Sequence, residues 1–136
     1  MTTLGFDQPL YSPPCDHHGS SSKDMFGWQE TLTPEETAET AAAKRFIHDA
    51  SRKAIDAGEP EGRSGILVDE QSGAAIVRDA AAAGCYTAFP PEKSGQDEFH
   101  SEYGDHFTEH VEAFDPTFCR VLVRHIPEGK WELNRR

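Results

Sequence analysis

Hydrophobic and polar positions alternate along this chain in blocks that predict strands and helices in turn. The sharpest local signal is Thr33-Pro34-Glu35-Glu36. There Thr33 can cap a helix, Pro34 suits the first helical position, and Glu36 completes a capping box. Ala38, Ala42, Phe46, Ile47, Ala50 and Ala54 then recur at helical spacing, and Gly58 supplies a stop. That apolar stripe predicts a face packed on the core. The run Gly65-Ile66-Leu67-Val68 is continuously apolar and ends abruptly at Asp69-Glu70, as suits a strand buried on both faces.

The segment from Gly73 to Ala83 reads as an alanine-rich helix closed by Gly84. Tyr86-Thr87-Ala88-Phe89 reads as a strand, halted by Pro90-Pro91 before the polar loop Glu92-Lys93-Ser94-Gly95. A further helix is predicted with Asp105 as cap and with Phe107, Val111 and Phe114 on one face. After Asp115-Pro116, the residues Cys119 to His125 read as another strand, and Pro127 to Arg136 as a loose tail. The first strand is placed at Leu10 to Cys15, leading into Asp16-His17-His18-Gly19, although Ser12-Pro13-Pro14 withholds backbone donors. Strands alternating with helices imply an α/β fold with a parallel sheet, here about four βα steps without the last helix.

Composition narrows the function classes. The 136 residues suit one domain. A hydrophobic fraction of 36% with a mean hydropathy of −0.66 is polar but still that of a folded protein. A formal charge of −11, spread along the chain, argues against nucleic acid and against a membrane surface as partners. No apolar run is long enough for a membrane span, and the polar start is not a signal peptide. The 3 cysteines, Cys15, Cys85 and Cys119, are odd in number and widely spaced, so they read as reduced thiols of a cytoplasmic protein.

Candidate chemistry gathers where the strands end. In parallel α/β folds the working residues lie at the carboxyl ends of strands. Here those ends carry Asp16, His17 and His18, then Asp69 and Glu70, then Glu92 and Lys93, then Arg124 and His125. Acids, imidazoles and a lysine in one rim can move protons on a small polar substrate. Two other patterns weigh less. His106-Phe107-Thr108-Glu109-His110 matches H-x-x-E-H, but little chain follows to supply a third zinc ligand, and no metal site is expected. Ser20-Ser21-Ser22-Lys23 matches S-x-x-K without a companion motif.

Asp16-His17-His18-Gly19-Ser20, Met25-Phe26-Gly27, Gly65 to Gln71, Glu92-Lys93-Ser94-Gly95-Gln96 and Val121-Leu122-Val123-Arg124 follow one another in a familiar order. In that order they resemble the barrel domain fused behind the sugar kinase in inositol catabolism, a 2-deoxy-5-keto-gluconate 6-phosphate aldolase-like family distantly similar to tagatose-bisphosphate aldolase. The resemblance implies a partial (β/α)8 TIM barrel, with residues 1–136 as its N-terminal half, ending after the fourth strand. It implies a class I aldolase family. A Schiff-base lysine there cleaves a phosphorylated keto sugar acid to dihydroxyacetone phosphate and malonate semialdehyde, without a cofactor.

By the same resemblance Asp16, Asp69, Glu70, Glu92 and Lys93 take catalytic positions, and His17, His18, Gln71, Ser94 and Arg124 substrate-binding ones. Several positions depart from the pattern. His18 stands in place of an arginine, Arg120 in place of a strand lysine, His125-Ile126 in place of a Tyr-Asn pair, and Ser72 in place of a phenylalanine. A guanidinium cannot serve as an amine nucleophile. The family's lysine belongs to later strands, which leaves Lys93 as the strand-end lysine to test.

Two readings follow. One is an aldolase-type lyase completed by a second half. The other is a non-catalytic half-barrel whose open sheet edges seek a partner chain or a second copy.

Overall fold

Strand and helix alternate through the whole computed structural model, which describes residues 6–17, 23–28, 31–58, 62–93, 95–96, 98–122, 127–129 and 131–135. The elements are β1 (Pro14–Cys15), α1 (Pro34–Asp56), β2 (Gly65–Val68), α2 (Glu70–Ala82) and β3 (Tyr86–Phe89). They are followed by a 3-10 turn (Gly104–His106), α3 (Phe107–Phe114), β4 (Phe118–Cys119) and α4 (Trp131–Asn134). The strands form one sheet in the order β1-β2-β3-β4, and every neighbouring pair is parallel. The fold is therefore mixed α/β, as the alternation predicts.

Register sorts the side chains onto two faces. Cys15 is level with Val68, and Ile66 with Thr87. Cys15, Ile66, Val68 and Phe89 belong to the buried core together with Ile76, Val77 and Ala80 of α2 and Phe114 of α3. Pro14, Leu67, Ala88 and Phe118 share the alternate register, so they look to the other face. On that face Phe6 meets Tyr86 edge-on at 4.8 Å and Phe118 at 5.5 Å.

The proline-rich first strand works because it lies at the edge. The Tyr11 N–H donates to Arg63, while the carbonyls of Tyr11 and Pro13 accept from Gly65 and Leu67. Pro14 lies between those bonding positions, so its nitrogen faces away from β2 and costs no bond, whereas Pro13 faces the ladder and withholds one donor. Gly73, on the second turn of α2, lies so close to the side chain of Val68 that a Cβ would collide with it.

Helix α1 starts as predicted. Glu36 N–H donates to the Thr33 hydroxyl at 3.2 Å, and Thr33 N–H to the Glu36 carboxylate at 2.8 Å. Its buried face, however, is Thr40, Lys44 and His48. The expected core stripe is turned to solvent: Ala38, Ala42, Ala50 and Ala54 are exposed, as are Phe46 at 77% and Ile47 at 42%. The buried face is chosen by what it meets. Lys44 lays its aliphatic stem inward and pairs its ammonium with buried Asp69, and the Thr40 hydroxyl donates to the Glu36 carbonyl.

Three further expectations are corrected. Helix α2 begins at Glu70 rather than Gly73, because the Asp69 side chain caps it. Asp105 lies within the 3-10 turn and caps nothing. The last strand is Phe118–Cys119, extended by the Arg120 N–H donating to the Phe89 carbonyl. Its ladder stops where the Glu92 carboxylate takes the Leu122 N–H at 2.8 Å.

Candidate functional site at the strand ends

Each strand delivers its next residues to one end of the sheet, and there the side chains form three connected groups. The first group spans the sheet. Arg120, just after β4, donates from Nη1 to Asp16 Oδ2, just after β1, at 2.7 Å. The same guanidinium lies 3.8 Å from Glu92 Oε1, beyond β3. Glu92 is thus tied on both oxygens, one to the cation and one to the Leu122 N–H.

The second group lies behind β2. Asp69 accepts the Ser72 N–H at 2.9 Å and the Ser72 hydroxyl at 3.0 and 3.2 Å, and it pairs with Lys44. Both charges of that pair are buried, so the pair holds α1 against the start of α2. Cys15 is also buried here, and burial foremost pushes its thiol above the ordinary value, with Asp16 and Asp69 adding to the rise and Lys44 opposing it.

The third group joins β2 to α3. Glu70 lies 3.3 Å from His110 Nδ1, and its carboxylate acts on the Tyr103 phenol. The rings of Tyr103 and His110 stack at 3.5 Å. Burial first, and then Glu70, raises the Tyr103 phenol well above its usual range.

Of the residues expected in the site, Asp16, Asp69, Glu70 and Glu92 come together in these groups. His17 and Lys93 are exposed on the loops and Gln71 is exposed on the first turn of α2, with the Lys93 N–H donating to the His100 carbonyl. His18, Ser94 and Arg124 lie outside the described residues. Lys44, Ser72, Tyr103, His110 and Arg120 were not expected as members. Only Ser72 left a local trace, since Asp69-Glu70-Gln71-Ser72 has the spacing of a helix cap.

The H-x-x-E-H pattern does not form a pair of ligands. His106 contacts Glu109 at 3.1 Å, while His110 turns to Glu70. Among the described residues no group of histidines, cysteines and acids is arranged to hold a metal ion.

Chemically, the rim offers carboxylates that can accept bonds from ligand hydroxyls and one guanidinium that can trade Asp16 for a ligand anion. Neither lysine described at this end, buried Lys44 or exposed Lys93, belongs to the Asp16–Arg120–Glu92 group. Among the described residues no helix is long and apolar enough to cross a membrane. Comparison with family models, with curated proteins and with solved structures gives no match to this chain.

Proposed function

We propose that the chain is a half-barrel of the sugar-phosphate aldolase type. Its strand-end rim binds a phosphorylated sugar acid, weakly until a second half encloses it, and it does not run the Schiff-base step alone. The observation that carries this reading is strand order. The sheet runs β1-β2-β3-β4 without reversal and all in parallel, as in a singly wound barrel, whereas doubly wound sheets reverse their order at a switch point.

The rim chemistry supports the same reading. Asp16, Asp69, Glu70 and Glu92 stand at one end of the sheet, and Arg120 supplies a cation for an acid or phosphate group. The free thiols of Cys15, Cys85 and Cys119 suit the reducing cytoplasm. The lysines argue for inactivity of the chain by itself: Lys44 is committed to Asp69, and Lys93 is exposed.

The test has two arms. Calorimetric titration with 2-deoxy-5-keto-gluconate 6-phosphate should give weak binding that Arg120→Ala abolishes, and no heat of binding would sink the ligand reading. Treatment with dihydroxyacetone phosphate and borohydride should leave the intact mass unchanged. A reduced adduct would overturn the claim of inactivity.

A further inference from the structure

Helix α1 carries an outward face that nothing among the described residues covers. At its middle stands Phe46, 77% exposed, flanked at successive turns by exposed Ala42 and Ala50 and then by Ala38 and Ala54. This spacing is symmetric about Phe46. The charges are antisymmetric: Glu39 lies seven residues before Phe46 and Lys53 seven after, both exposed and neither in an ion pair within the described chain. Seven residues are close to two full turns, so Glu39, Phe46 and Lys53 lie on one side of the helix.

We propose that this face is the self-association surface of the protein, pairing antiparallel with the same helix of a second copy. A two-fold axis through Phe46 sets Phe46 on its symmetry mate and Ala42 against Ala50, with Ala38 and Ala54 on the flanks. It also sets Glu39 of each copy against Lys53 of the other. Small residues at successive turns let two helices approach closely, and the central aromatic supplies the apolar anchor. The facing stretch from Glu39 to Lys53 is about 21 Å long at 1.5 Å per residue.

A two-fold interface requires a self-complementary patch, and charges opposed about its centre meet that requirement. An anionic lipid surface fits poorly, because the chain carries −11 overall. The surface is separate from the rim and from the sheet edges at β1 and β4, so it stands or falls independently of the aldolase reading.

Sedimentation equilibrium over a concentration series, at about 0.15 M salt to screen the distant charges, tests the proposal. The wild-type chain should dimerise. Phe46→Glu should weaken the dimer at least about a hundredfold, given the apolar area lost from both copies. Glu39→Lys and Lys53→Glu should each weaken it about tenfold by setting like charges in contact. A mixture of those two single variants should form a heterodimer, since the swap restores both ionic contacts. All these side chains are exposed, and unchanged helical circular dichroism would show that the variants fold. A wild-type chain that stays monomeric throughout would overturn the proposal. So would a dimer indifferent to Phe46→Glu, which would point to pairing through the sheet edges instead.

Discussion

Arg120 and Asp16, 104 residues apart in sequence and on opposite edges of the sheet, are joined by a 2.7 Å hydrogen bond. In a flat sheet, strands about 4.8 Å apart would put the first and fourth about 14 Å from each other. An arginine reaching that far needs the sheet to curl toward the side where these groups meet. The bond is partly exposed, with Arg120 at 45% and Asp16 at 16%, so its contribution is small. Arg120→Ala and Asp16→Asn should each lower the unfolding free energy by about 0.5–1 kcal/mol. Urea titration should show a lower midpoint with an unchanged slope.

The Lys44–Asp69 pair is a different case, because both charges are out of water. Lys44→Met keeps the stem but takes the opposing charge from a buried carboxylate that Ser72 also holds. The expected cost is about 3–5 kcal/mol. Lys44→Met combined with Asp69→Asn should be less destabilised than the sum of the single changes. Strict additivity in urea unfolding would refute the coupling.

Gly73 offers a test of packing against propensity. Alanine in a helix interior is favoured over glycine by about 1 kcal/mol. Here the added methyl would strike Val68, which is fully buried. Gly73→Ala should therefore destabilise by about 1–3 kcal/mol. The double variant with Val68→Ala should be more stable than the two separate losses predict, as measured by denaturation.

Stability should also fall on the alkaline side. The Tyr103 phenol, ordinarily at 10.0, is raised by burial and by Glu70 in the folded chain. As pH rises through its ordinary value the unfolded chain gives up this proton first, so unfolding gains. The contribution is complete below that value and is lost above it. Buried Cys15 acts in the same direction from 9.0. Tyr103→Phe should flatten the decline in thermal midpoint between about pH 10 and 12. An unchanged slope would show that the phenol is not coupled to folding.

Sequence pattern alone located the capping box at Thr33, the two apolar runs Gly65–Val68 and Tyr86–Phe89, and the acids that follow them. These are local signals, each complete within a few residues. The orientation of α1 was not local. The stripe through Phe46 and the row Thr40, Lys44 and His48 are both helical in period, and only Asp69, 25 residues beyond Lys44, decides which one is buried.

Arg120 illustrates the same limit. Its sequence neighbours suggested a missing amine, whereas its partner is at the far end of the chain. For His110, the sequence set aside zinc at the i, i+4 match to His106 but offered no other partner, and Glu70, just after β2, lies beside the ring. Ser72 read as a lost aromatic, but its hydroxyl and N–H hold Asp69 in place.

The contacts of Phe6 with Tyr86 and Phe118 set an order of events in synthesis. Phe6 leaves the ribosome early, and its second partner follows about 110 residues later. At about 5–20 residues per second, that interval is on the order of ten seconds. Within it Tyr86 emerges first, so the ring can meet β3 while β4 is still to be made. The contact of Phe6 with Phe118 thus waits for β4, and the start of the chain then fastens the last strand to β3.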